Sequence, residues 1–102
     1  MGFQLDRRDG RLCAVGEMTI YSAQSMKEQL LPPAAGNNGN LLLDVSGVTE
    51  LDTCGVQVLL LMQRLANAEQ CSMHLVEPSA AVREALALCG LGGWLGDAKC
   101  GA

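Results

Sequence analysis

The run Asn40-Leu-Leu-Leu-Asp-Val-Ser-Gly-Val-Thr-Glu-Leu-Asp-Thr-Cys-Gly-Val-Gln-Val-Leu-Leu-Leu61 decides how the rest of the chain is read. Leu41-Leu42-Leu43 with Asp44-Val45 is a short continuous apolar run, the pattern of a central strand covered on both faces. Ser46 to Asp52 then reads as a loop, and Thr53 starts a long apolar helix predicted to end near Ala66. Asp52 and Thr53 stand where a side-chain oxygen can accept from the first free N–H groups of that helix. The same position displays the Thr53 hydroxyl at the positive end of the helix dipole. A phosphate added there would meet free N–H groups on one side and the carboxylates of Glu50, Asp52 and Asp44 on the other. Capping alone and a switchable hydroxyl are both open on this pattern.

The flanks build a sheet around that run. Phe3-Gln4-Leu5 alternates, Asp9-Gly10 supplies a turn, and Leu12 to Val15 is a second strand broken by Gly16-Glu17. Ser22 to Leu31 reads as a helix with Ser22 as N-cap. Its Ala23, Met26 and Leu30 share one face, and Ser25 and Gln29 point to solvent. Pro32-Pro33 stops it, and Gly36 to Gly39 is a loop. Ser72 to Val76 is the next strand. Pro78-Ser79 opens a helix over Ala80 to Cys89, with Val82, Leu86 and Cys89 on one face. Glycines then crowd the end around Leu91, Trp94 and Leu95, with room for one last short strand; Trp94 reads as a plug at the end of the sheet or as a partner-facing aromatic. Strands alternating with helices imply an α/β fold with a mixed, mostly parallel β-sheet of four to five strands, helices packed on it and right-handed crossovers.

Composition sets the outer limits. At 102 residues, 49% apolar and 18% charged, the chain reads as a single domain over residues 1–102 and not as a disordered segment. A chain this size buries about 65% of its unfolded surface. One Phe, one Trp and one Tyr leave the core to Leu, Val, Ala and Met, with Met18, Met26, Met62 and Met73 as gap fillers. A net charge of −4, with Arg7, Arg8 and Arg11 interleaved by Asp6 and Asp9, argues against nucleic acid and anionic membranes as partners. Five cysteines without CxxC spacing, and His74 as the single histidine, offer no metal site and read as reduced thiols of a cytoplasmic protein. Met1 to Asp9 lacks the apolar run of a signal peptide, and Val58 to Met62 is far too short for a transmembrane segment.

No catalytic constellation emerges, and the expectation is a protein that is not an enzyme and carries no cofactor. There is no GxGxxG or GKS/GKT phosphate loop, and His74 sits inside a strand between Met73 and Leu75. Cys54 at a helix start is a candidate redox-sensing thiol, but its acidic neighbours oppose a thiolate, and it reads as small core packing. The helix after Thr53 carries Val56, Val58 to Met62 and Leu65 on more than one stripe. It is either enclosed on all sides or exposes a patch near Thr53 that a partner covers.

The stretch Asp44-Val-Ser-Gly-Val-Thr-Glu-Leu-Asp-Thr-Cys-Gly-Val resembles the signature of the STAS domain family, which includes bacterial anti-sigma factor antagonists. Val15 to Ile20, Leu75 to Ser79, and Leu88-Cys-Gly-Leu91 with Trp94 extend the resemblance over almost the whole chain. It implies a STAS fold with the last helix short or absent, because the chain ends about where that helix should begin. It implies Thr53 as the phosphorylation site, preceded by Asp52, with Cys54 where the family has Ser or Ala and Gly55 letting the helix start lie close to the sheet. The implied task is a partner switch in signal transduction and transcription regulation. Unphosphorylated protein would bind a histidine-kinase-like serine/threonine kinase that doubles as an anti-sigma factor, and a phosphatase would reset it. The expected contact surface comprises Ser46, Glu50, Asp52, Thr53, Cys54, Gly55 and Gln57, flanked by Gly16 to Thr19. Short STAS domains also resemble the small subunit of an ABC phospholipid transport system, where the Thr position would face the transporter ATPase.

Overall fold

The computed structural model describes residues 2–8, 10–31 and 40–92. The elements run β1 (Phe3–Arg8), β2 (Arg11–Met18), a 3-10 turn (Ile20–Ser22), α1 (Ala23–Leu30), β3 (Asn40–Leu51), α2 (Thr53–Ala68), β4 (Ser72–Val76) and α3 (Ala80–Leu88). The four strands lie in the order β1-β2-β3-β4, with β1 antiparallel to β2 and the two remaining pairings parallel. This is the α/β, mixed and mostly parallel sheet that the alternation of strands and helices implies. The last described helix, α3, is short, at 9 residues.

One face of the sheet carries the core. Leu12, Ala14 and Met18 of β2, Leu41, Leu43, Val45, Val48 and Leu51 of β3, and Met73 and Leu75 of β4 are all buried. Against them pack Met26 and Leu30 of α1, Val56, Leu59 and Met62 of α2, and Val82 and Leu86 of α3. Each of the Val, Leu and Met side chains contributes about 1.5–3 kcal/mol when fully buried. All four methionines singled out as gap fillers lie in this core.

Several elements depart from the sequence reading. The segment from Ser46 to Leu51 is not a loop: β3 runs through it and stays paired with β2 at Val15↔Gly47, Gly16↔Val48, Glu17↔Glu50 and Met18↔Leu51. Ser46, Thr49 and Glu50 imitate a loop because they are exposed, while Val45, Val48 and Leu51 reach the core at intervals of three. Register irregularities in the β2–β3 pairing break the simple alternation. Likewise β2 continues through Gly16-Glu17 to Met18. Gly16 adopts φ +104°, and a Cβ there would strike the carbonyl of Gly2, whose oxygen accepts the Glu17 N–H at 2.9 Å. Here glycine continues the strand instead of ending it.

The expectation that β3 is covered on both faces also fails. Leu42 and Asp44 are only half-buried on the face turned away from the helices, where Val15 is 38% exposed. In α1, Ser22 takes the N-cap position, yet its buried hydroxyl has no hydrogen-bond partner among the described residues. Ser25 and Gln29 do not simply face solvent: the Ser25 hydroxyl and the Gln29 amide donate to the Phe3 carbonyl, and Gln29 Oε1 accepts the Leu5 N–H at 2.9 Å. They tie α1 to the edge strand. Cys89 is exposed, beyond the buried pair Val82 and Leu86. The expected Gly36–Gly39 loop, Trp94 and the possible last strand lie outside the described residues.

On the open sheet face Asp44 is held by three hydrogen bonds from two residues. Burial alone would raise its pKa, but hydrogen bonds from the Ser46 hydroxyl (2.7 Å), the Ser46 N–H (2.9 Å) and Arg11 (3.3 Å) outweigh this and lower it. A carboxyl lowered on folding contributes stability that is fully present above its unfolded pKa, about 3.9, and is lost as pH falls through the folded value. Asp44→Asn is therefore expected to cost about 1 kcal/mol at neutral pH and nothing at pH values below the folded pKa. Urea unfolding of both proteins at neutral and strongly acidic pH checks this; a constant difference at all pH values contradicts it.

Candidate functional site

The site forms where β2 and β3 end side by side and the chain turns into α2. Asp52 leaves the sheet in extended conformation (φ −107°, ψ −174°) and caps the helix, its Oδ1 accepting the Gly55 N–H at 3.1 Å. Its other oxygen, Oδ2, accepts the N–H of Ile20 at 2.9 Å, and its own N–H donates to the Met18 carbonyl at 3.2 Å. One residue thus fastens the start of α2 to the end of β2 and to the 3-10 turn beyond it. Gly55 makes the approach possible: a Cβ there would collide with the Met18 carbonyl and a Leu51 methyl.

Thr53, the first residue of α2, is exposed. With the Gly55 N–H taken by Asp52, helix geometry leaves the N–H groups of Thr53 and Cys54 without intrahelical acceptors beside its hydroxyl. Cys54 is half-buried and packs against the core, as small core packing requires. Gln57 follows one turn later on the exposed side. Glu50 is exposed and pairs in register with Glu17 across the β2–β3 ladder, so that two acidic residues are cross-strand neighbours. Ser46 is not brought to the site: it lies six residues back along β3, on the order of 20 Å at strand rise, and its hydroxyl serves Asp44. The end of β2, Gly16 to Thr19, does lie alongside.

The helix is not enclosed on all sides. Its exposed stripe begins at Thr53 and continues through Gln57 to Leu61 and Leu65, which are 40% and 37% exposed. The sequence reading missed the neighbours on the 3-10 turn, Ile20 and Tyr21, which are 61% and 93% exposed. A lone tyrosine and an isoleucine in an aromatic-poor chain look like core residues. Only the tight turn, held by the Asp52 carboxylate, turns them outward. Among the described residues no group of three or more His, Cys, Asp or Glu is placed to hold a metal ion. No helix there is long and apolar enough to cross a membrane.

A family model described as "Mlab, STAS domain" matches residues 1–97. The chain belongs to the STAS domain family. No curated protein matches this STAS domain by sequence. Among solved structures it is similar to the anti-sigma factor antagonist SpoIIAA in its unphosphorylated form, at TM-score 0.65 and 21% identity over 91% of this chain and 84% of that one. The Bacillus cell fate determinant SpoIIAA in the phosphorylated form matches at TM-score 0.61 and 19% identity over 91% and 87%. An anti-sigma factor antagonist from Mycobacterium paratuberculosis matches at TM-score 0.58 and 19% identity over 97% and 91%. At these identities the likeness is one of fold.

The capping geometry makes a direct prediction for the STAS domain. Asp52→Ala removes both acceptors and is expected to cost about 2 kcal/mol, at the upper end for an N-cap because the Ile20 N–H is released as well. Asp52→Asn, which keeps one acceptor oxygen, should lose about half of that. Gly55→Ala is expected to cost more than either, about 3 kcal/mol, because backbone must move. Urea unfolding curves of the three variants give this ranking; equal stability of Asp52→Ala and wild type contradicts it.

Proposed function

We propose that this STAS domain is a non-enzymatic partner switch, with Thr53 as its phosphorylation site. The observation that carries the reading is the exposed Thr53 hydroxyl at the first position of α2, beside free backbone N–H groups and within an acidic rim. A phosphate would add about −1.5 to −2 charge there. The helix terminus would favour it by about 0.3–1 kcal/mol, up to roughly 2 in a sheltered geometry. A carboxylate at about 6 Å would oppose it by about 1–1.4 kcal/mol at the dielectric constant of water and by about 4–5.5 kcal/mol at an effective value of about 20. The carboxylates therefore oppose the phosphate at least as strongly as the helix terminus favours it, and modification sharply changes the charge that a partner meets at this end of α2, which is what a switch needs.

The partner in this reading is a histidine-kinase-like serine/threonine kinase that doubles as an anti-sigma factor. It binds the unphosphorylated form, with Asp52, Thr53, Gln57 and Glu50 at the contact, and a phosphatase reverses the modification in the cytoplasm. SpoIIAA, whose fold this chain resembles, is itself described in both unphosphorylated and phosphorylated forms. A second reading is favoured by the description of the matching family model. In it the domain is the small subunit of an ABC phospholipid transport system, and the Thr53 end of α2 docks on the transporter ATPase without a phosphorylation cycle.

Affinity capture from the producing cells with wild type, Thr53→Ala and Thr53→Glu, read by mass spectrometry, tests both. The switch predicts a kinase-like ATPase retained by wild type and Thr53→Ala and reduced at least tenfold with Thr53→Glu. Equal retention of an ABC transporter ATPase by wild type and Thr53→Glu overturns the switch in favour of the second reading.

A further inference from the structure

Far from the Thr53 corner, β1 forms one edge of the sheet, with β2 bonded along its inner side. The Gly2 carbonyl accepts the Glu17 N–H, so even-numbered residues bond inward and Phe3, Leu5 and Arg7 turn their N–H and C=O groups outward. An open row of such groups is a template for another chain. Here one side chain occupies part of the row. Gln29 Oε1 accepts the Leu5 N–H at 2.9 Å, while its Nε2 donates to the Phe3 carbonyl at 3.3 Å. The orientation is forced, since only the oxygen end can meet an N–H and only the nitrogen end a carbonyl. The carboxamide thus makes the two bonds that a residue of a further strand would make. Ser25, one turn earlier on α1, steadies it: its hydroxyl accepts from Gln29 Nε2 at 2.8 Å and donates to the Phe3 carbonyl. Core packing asks for neither residue, because Met26 and Leu30 carry that task for α1.

We infer that the β1 edge is a strand-addition site held shut by Gln29, and that the occupant it excludes is β1 of a second copy of this chain. Beyond Leu5 the row stays open: among the described residues no side chain or strand meets the Arg7 N–H or carbonyl on the outer side. Antiparallel pairing about a two-fold axis at Arg7 uses those groups. It sets Asp6 of each copy opposite Arg8 of the other, two opposite-charge pairs on one face of the joined sheet. The two Arg7 side chains meet on the other face, where both are exposed and long enough to splay apart. This register also keeps the two α1 helices clear of each other, because α1 reaches the strand at Phe3 and Leu5, away from the axis. An axis at Asp6 would instead set the two Asp6 carboxylates face to face, and one at Leu5 would drive the helices together. With Gln29 in place an incoming strand finds only Asp6 to Arg8 open, too short a run to hold. Releasing the Leu5 N–H lengthens it. The inference is independent of the Thr53 reading.

The test is sedimentation equilibrium of wild type, Gln29→Ala and Gln29→Glu, each shown to be folded by circular dichroism. Gln29→Glu keeps the length of the side chain but cannot donate to the Phe3 carbonyl. The expected result is a wild type that stays monomeric and two variants that form dimers at concentrations at least tenfold lower, with hydrogen exchange slowed at the Leu5 and Arg7 amides in the dimer. Adding Arg7→Pro to Gln29→Ala removes one outward N–H and spares the bonds to β2. It should return the protein to monomer, even though it also removes the Arg7–Arg7 contact between copies. Adding Asp6→Arg should do the same by placing like charges opposite each other, and exchanging both residues, Asp6→Arg with Arg8→Asp, should restore the dimer. Variants at Gln29 that associate no more readily than wild type overturn the proposal. So does association that is indifferent to Arg7→Pro, or a wild type already dimeric through β1.

Discussion

Both oxygens of one carboxylate hold this molecule's candidate site together. Asp52 Oδ1 closes the first turn of α2 and Oδ2 holds the N–H of Ile20, while the Asp52 N–H reaches the Met18 carbonyl. Among the described residues, no other side chain hydrogen-bonds to both the 3-10 turn and the helix start. Its consequence is geometric: Thr53, Ile20 and Tyr21 belong to elements far apart in sequence, yet one side chain fixes their spacing. The close approach this requires is open only to a residue without a Cβ at position 55, so Asp52 and Gly55 act as a pair.

The fold was largely legible because its strongest signals are local. The apolar run Leu41–Val45, the Asp52-Thr53 helix start, the Ser72–Val76 strand and the Pro78-Ser79 opening of α3 each follow from hydrophobic period, capping or proline chemistry. The errors share a physical origin. Residues 46–51 lose alternation where the ladder is irregular, so exposed Ser46, Thr49 and Glu50 passed for a loop although Val48 and Leu51 are core. Gly16 looked like a strand breaker but supplies a positive φ at a close backbone crossing. Ser25 and Gln29 are polar, and polarity alone cannot tell solvent from a bond to a neighbouring strand.

The site divides in the same way. Asp52 and Thr53 stand at a helix start, so their places as cap and displayed hydroxyl could be read from the local pattern, whereas the close-packing role of Gly55 came with the resemblance to the STAS family. The pairing of Glu17 with Glu50 depends on a parallel register across a crossover, which no local pattern encodes. The exposure of Ile20 and Tyr21 depends on a bond to a residue 32 positions away. Ser46 was placed at the contact surface because a loop would have brought it there; a continuous strand carries it off instead.

The claim that Thr53 is the point of control is tested most directly by mapping phosphate on the protein isolated from its producing cells, with partner-bound and free fractions analysed separately by mass spectrometry. The account predicts phosphate on Thr53 in the free fraction and its absence from the bound one. Phosphate spread equally over both fractions, or found on Thr53 in neither, contradicts it.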